Sequence, residues 1–276
     1  GIGTFSGAIS GGAGTFTGDV SIADKIIHTG DVDTAIRFAD ADTITAETGG
    51  SERLRIDSAG AVRIANTTAS LYTAADELLI GSGSGDNGLT IYSGTADGGT
   101  IAFADGTSDP AYRMGQIIYD HSANSMAFRV NGNTTRLKIT STGGLTLSNG
   151  ELVEKCYINS TAWSTTGTVN LDNGMVQYNS ANLAGTNNTL DIISSTGINT
   201  SMATGDMMSV TCITAVNAST AYVNNITIDG IAATESWVGG SAPTDGGSSG
   251  VDTYAFSIIK TGAATFVVIA NQVKTS

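Results

Sequence analysis

Charge, aromatic rings and proline are all scarce in this chain. Of its 276 residues, 13% are charged and 6% are aromatic, and proline occurs twice. The charged share is about half of the roughly 25% usual for soluble domains, and no stretch is rich in the Glu, Lys and Leu that build helices. Two prolines exclude a polyproline linker, and 36 glycines without a triplet period exclude collagen. Two cysteines, Cys156 and Cys212, cannot make a disulfide framework, and with no CxxC pair they are expected to be free, buried thiols. Two histidines, His28 and His121, with no HxH, HExxH or His/Cys cluster, leave no transition-metal site within one chain. No apolar run approaches the length of a membrane helix, and Phe266-Val-Val-Ile-Ala270 reads as a strand. A net charge of −13 disfavours partners that attract through phosphate, so neither nucleic acid nor insertion into an anionic membrane is expected. No signal peptide is evident, and a first residue of Gly rather than Met predicts a further N-terminal part.

What fills the space is Thr (39 residues) and Gly, with abundant Ser, Asn and Ala. Threonine is β-branched and fits a half-buried pleated surface, and glycine serves tight turns. The composition predicts an all-β protein. Few aromatics leave one chain with thin material for a core, so an oligomer is expected.

Two levels of repetition are visible. Gly3-Thr-Phe-Ser-Gly7 returns as Gly14-Thr-Phe-Thr-Gly18, which suits a thin β shaft with one Phe per unit. Arg53-Leu-Arg-Ile-Asp-Ser-Ala-Gly60 through Ile64 returns 83 residues later as Arg136-Leu-Lys-Ile-Thr-Ser-Thr-Gly143 through Leu147. Both copies read strand, turn, strand, with Leu54 and Ile56 on one face and Arg53 and Arg55 on the other. Further strands are predicted at 36–38, 43–47, 61–65, 89–93, 100–105, 115–121 and 126–131. Residues 66–80, with Thr73-Ala-Ala-Asp76 as a capping box, are the one place a helix is expected. Ten of the twelve Lys and Arg lie in residues 1–155, which marks a boundary near 150–156. Beyond it, longer apolar strands at 208–216, 222–229, 253–260 and 264–274 predict a β-sandwich or jelly-roll-like domain.

The search for chemistry returns little. Gly83-Ser-Gly-Asp-Asn-Gly88 fits GxGxxG, but Leu89-Thr-Ile-Tyr92 follows it where a dinucleotide site needs a helix. Asp31/Asp33 and Asp40/Asp42 could share a strand face, but EF-hand spacing is absent and a solvated face is the better account. No pair of carboxylates stands out as a glycosidase pair, and no Ser/His/Asp arrangement is evident. No cofactor is expected. The remaining candidates are large side chains in the second region. Trp237, in the Gly-rich stretch 235–250, is either a recognition anchor or a cap on the core, and Trp163 and Tyr178 have the same two readings.

Gly115-Gln-Ile-Ile-Tyr-Asp-His-Ser-Ala-Asn-Ser-Met-Ala-Phe128, followed by Arg136-Leu-Lys-Ile-Thr-Ser-Thr-Gly143, resembles a repeat of tail fibres of tailed bacteriophages, most like those of marine and cyanobacterial phages. Ala35-Ile-Arg-Phe38, residues 49–60 and residues 256–272 share the style, so the resemblance covers most of the chain. It implies a homotrimeric virion fibre, extracellular, with a β-rich shaft and a distal head that contacts a host-surface glycan or protein. Residues 1–155 are then the repetitive shaft and 156–276 the receptor-contacting β-sandwich tip, joined to other tail proteins through the preceding N-terminal part. The resemblance carries no catalytic motif, and non-catalytic, multivalent host attachment is expected. Two rival expectations are a capsid-attached fibre or bacterial surface adhesin, and a tailspike-like polysaccharide depolymerase.

Overall fold

The computed structural model describes residues 17–65, 72 and 74–276. Phe5 and Phe16 of the short repeat, and Thr73 of the capping box, lie outside the described residues. The protein is all-β. It divides into two compact units, one ending at Asn149 and the other beginning at Gly150.

The first unit holds β1 (Lys25–His28), β2 (Asp31–Asp40), β3 (Thr43–Thr48), β4 (Ser51–Ile56), β5 (Val62–Ile64), β6 (Leu78–Ile80), β7 (Gly98–Phe103), β8 (Gly115–Asp120), β9 (Ser125–Val130), β10 (Thr134–Ile139) and β11 (Leu145–Leu147). Strands β1–β6 form one sheet and β7–β11 another, each ordered as in sequence. From β1 to β5 and from β7 to β11 every neighbour is antiparallel, so each sheet contains a five-stranded meander.

The hairpin repeat is the visible end of this larger one. Leu54 faces Ile64 and Ile56 faces Val62, while 83 residues later Leu137 faces Leu147 and Ile139 faces Leu145. The turns match as well. Gly60 N–H donates to Asp57 O at 2.8 Å and Gly143 N–H to Thr140 O at 2.9 Å. Both glycines sit at positive φ, +87° and +83°, where a Cβ would be strained. Each preceding strand bulges at the equivalent residue, Arg53 and Arg136, which the pairing skips. In the first turn Asp57 accepts from the Arg63 guanidinium and from the Ala61 and Ala59 amides, which together hold its carboxyl below the usual range. In the second, Thr140 Oγ1 accepts from Gly144, the counterpart of Ala61.

Two local expectations fail here. Residues 89–93 form no strand, and Leu89 and Tyr92 are exposed. Without a neighbouring ladder to pair their backbone groups, these residues make no strand. Of the helix expected over 66–80, residues 66–71 and 73 lie outside the described residues, and the described end is β6 instead, because β5 offers an open edge with which Leu78–Ile80 pair in parallel.

The second unit holds β12 (Tyr157–Asn159), β13 (Thr166–Asn170), β14 (Val176–Asn182), β15 (Asn188–Ile193), a single helical turn α1 (Ile198–Ser201), β16 (Met207–Ala215), β17 (Val223–Ile228), β18 (Ile231–Ala232), β19 (Thr234–Trp237), β20 (Val251–Gly262) and β21 (Thr265–Lys274). Its six-stranded sheet runs β12-β14-β16-β20-β21-β19 and its four-stranded sheet β13-β15-β17-β18. One apolar core lies between them, with Leu190, Ile192, Ile226 and Ile228 from the smaller sheet and Val210, Cys212, Tyr254, Phe256, Ile258, Phe266 and Val268 from the larger. The unit is therefore a two-sheet sandwich.

Its connectivity is not that of a jelly roll. From β12 to β17 successive strands alternate between the sheets, so β12, β14 and β16 run parallel, as do β13, β15 and β17. A parallel pair needs a crossover, and here each crossover is a strand of the opposite sheet. The antiparallel β16–β20–β21 ribbon closes this winding.

The thin core expected of one chain describes the first unit and fails for the second. Among the described residues of the first unit, the buried hydrophobics are Ala35, Ala61 and Ala127. In the second, Tyr254, Phe256, Phe266 and a set of aliphatic side chains are almost fully buried. Buried Lys260 donates from Nζ to the carbonyls of Asn199 and Met202, which satisfies the end of α1.

Candidate functional site

In the first unit, cross-strand register turns the alternation seen in sequence into rows. Ile26, Ile36, Ala46, Leu54, Ile64 and Ile80 follow one another across all six strands of the first sheet. Ile44, Ile56, Val62 and Leu78 form a second row on the same face. In the second sheet the rows are Ile101, Ile117, Phe128, Leu137, Leu147 and Tyr119, Met126, Ile139, Leu145. These faces stand open in one chain: Ile26 is 54% exposed, Ile36 50%, Leu78 55% and Leu145 72%. The opposite face of the first sheet carries Lys25, Arg37, Arg55 and Arg63. There Arg37 pairs with Asp24 and Glu47, Arg55 with Glu52 and Arg63 with Asp57. The expected segregation of Leu54 and Ile56 from Arg55 is therefore present, while Arg53, expected on the same face as Arg55, falls at the bulge that the pairing skips. On the apolar face of the second sheet an open groove of about 360 Å³ is lined by Ile91, Ile101, Ile117, Tyr119, His121 and Met126. His121 meets the Tyr119 ring edge-on at 5.0 Å between centroids.

The three aromatic candidates fall in different settings. Trp163 is 8% exposed and belongs to the core of the second unit. Gly167 lies against its indole, where a Cβ would collide with the ring. Trp163 therefore offers almost no surface to a partner. Trp237 is not in a free loop. It ends strand β19, which pairs in parallel with β21, and its half-buried indole packs on the core. Its Nε1–H donates to Glu235 Oε2 at 2.7 Å, and Glu235 Oε1 accepts from the Ile226 amide of the other sheet. Tyr178 sits on the outer face of the six-stranded sheet, between Ile158 and Ile213. The structure does not bring the three side chains together in one strand or loop.

The Gly-rich stretch after Trp237 is anchored at its far end. Fully buried Asp252 accepts from the Gly247 amide at 3.0 Å and from Gln272 Nε2 at 3.0 Å. Gln272 also reaches Tyr254 Oη, which accepts from the Val223 amide. Burial pushes the Tyr254 hydroxyl pKa up. Sequence reasoning missed this latch, because nothing in Val251-Asp-Thr-Tyr254 marks the acid as buried. Alternation within a strand that begins directly after a Gly run is the one signal that could have found it.

No group of three or more acidic, His or Cys side chains that could hold a metal occurs among the described residues. Asp31 and Asp33 share a strand face, and the interaction between their carboxyls lowers the Asp31 pKa and raises that of Asp33. Residues 83–88 form a turn, in which Asn87 Oδ1 accepts from Ser82.

Both cysteines are free, but only Cys212 is buried; Cys156 is half-buried, against the expectation of two buried thiols. Burial pushes the Cys212 thiol up to about 12, so it stays protonated at neutral pH. Iodoacetamide is expected to modify Cys156 in the folded protein and to spare Cys212 until denaturant is added, as mass spectrometry of the two peptides will show.

Comparison with protein families, with curated proteins and with solved structures finds no match.

Proposed function

We propose that this protein is a structural, non-catalytic fibre protein of a tailed bacteriophage that assembles as a homotrimer and attaches the virion to its host. The observation that supports this reading is the set of apolar rows that both sheets of the first unit leave open to water in a single chain. A row of this kind needs a partner surface, and copies of the same chain supply one. Each aliphatic side chain covered in this way contributes roughly 1.5–3 kcal/mol. The first unit acts as the repetitive shaft, and the sandwich of the second unit acts as the receptor-contacting tip. The sequence style shared with phage tail fibres points to the same assignment. Multivalent contact with a surface glycan or protein would then strengthen weak single contacts through effective concentration.

Sedimentation equilibrium tests the assembly. A mass near three times 27.9 kDa is expected, and a mass near 27.9 kDa at micromolar concentration would overturn the reading.

A further inference from the structure

The outer face of the six-stranded sheet in the second unit has a composition that sets it apart from the rest of this acidic chain. Register fixes which residues point outward. One row runs Ile158, Tyr178, Ile213, Thr253, Val273, and the next Val176, Thr211, Ala255, Asn271. Further along come Ser209, Ser257, Ile269, Ser236 and then Met207, Ile259, Val267, Thr234. No outward position among the described residues of this sheet is charged. The charges of its strands, Asp252, Lys260, Glu235 and Lys274, all occupy the alternate positions. Large apolar side chains on the uncharged face remain open, with Ile158 64%, Met207 63% and Val273 55% exposed.

A face meant for water does not look like this. The outer face of the opposing sheet shows the contrast, since Asp191 stands there with Thr227 and Gly230 donating to its carboxylate.

We propose that the outer face of the six-stranded sheet of the second unit is a contact surface for a second copy of this chain. Charge selects that occupant. Two copies that each carry −13 repel across most of their surfaces, and they can approach closely where neither presents an acid. Area agrees. Strands about 4.8 Å apart, rising about 3.3 Å per residue, give this face a planar footprint of roughly 600 Å². That is of the order of the roughly 800 Å² each partner gives to a stable interface. Threonine, serine and asparagine hydroxyls and amides between the aliphatic residues can pair with the same set on another copy. The inference rests on the homo-oligomer reading and names a surface for it in the second unit.

Ala255 lies at the centre of the face and is exposed, so a substitution there meets open space within one chain. Ala255→Asp in the full chain is expected to weaken assembly on the order of 100-fold or more, because like charges then meet in a desolvated contact. Thr166→Asp, exposed on the outer face of the four-stranded sheet, should leave the dissociation midpoint unchanged. Sedimentation across a concentration series reads both, and thermal unfolding checks that each variant is folded. A second readout avoids charge altogether. In a Cys156→Ser background, Ala255→Cys should react with a maleimide at least about tenfold more slowly than Thr166→Cys, because a covered side chain is reached only when the assembly opens. Unchanged dissociation of Ala255→Asp, or labelling of Ala255→Cys as fast as that of Thr166→Cys, would overturn this surface while leaving the oligomer intact. A wild-type chain that stays single at every concentration would overturn both.

Discussion

Replacing Leu137 by Lys will reduce the assembled protein to single, folded chains. Leu137 stands in the row from Ile101 through Ile117 and Phe128 to Leu147, on the open face of its sheet. Within one chain that face is half in water, so an ammonium group there stays hydrated and the meander keeps its ladder. In a trimer built on such rows, three lysines must be buried together. The lost apolar contacts alone amount to roughly 5–9 kcal/mol over three chains, and desolvating three like charges adds to that. The expected result is a fall in sedimentation mass from near three times 27.9 kDa to near 27.9 kDa, with an unchanged far-ultraviolet spectrum. Thr146→Lys, on the opposite face of the same sheet, should leave the mass unaltered. A Leu137→Lys protein that keeps its full mass would show that these rows do not make the contact.

The second large effect belongs to Trp163. Its indole fills the core of the sandwich against Gly167, and Trp163→Ala empties that volume. Truncating a buried aromatic to alanine costs about 3–5 kcal/mol. For a unit of this size the unfolding midpoint should fall on the order of 10 °C. Calorimetry is the check, and a midpoint within 2–3 °C of wild type, below the roughly 10 °C expected, would show that the indole does not carry core stability. The consequence reaches the binding question. Under the proposed reading, a loss of attachment in Trp163→Ala follows from unfolding of the sandwich rather than from a lost contact. Tyr178 stands in the outer-face row proposed above as a contact between copies, so its replacement reads assembly first.

The sequence was most legible where one face of a strand is apolar and the other charged. Arg53-Leu-Arg-Ile56 and Arg136-Leu-Lys-Ile139 announce their pleat because the period of two is written in residues of opposite character. The hairpin repeat was visible for the same reason, but not the whole meander behind it. Spacing between equivalent residues drifts from 81 for Ile36 and Ile117 to 83 for Leu54 and Leu137, so no fixed period survives across the sheet. In the sandwich, strands β14 and β15 hid themselves because polar residues take inward positions. Gln177, Asn179 and Asn188 are buried, and Gln177 and Asn188 donate to backbone carbonyls rather than packing as hydrophobics. Parallel winding between two sheets has no local mark at all, since it depends on which strand lies next to which. Trp237 read as loop because Gly239 and Gly240 follow after a single Val, while the partner strand β21 that makes β19 a strand lies further along the chain.

The matched bulges at Arg53 and Arg136 bear on how such a chain changes over generations. Each meander closes its ladder and its turns within one uninterrupted stretch of polypeptide, down to the same skipped residue and the same left-handed glycine. A recombination event that adds or deletes one such stretch leaves the pairing inside every remaining stretch untouched. Copy number can therefore drift in whole steps among descendants, with no compensating mutation required elsewhere in the gene.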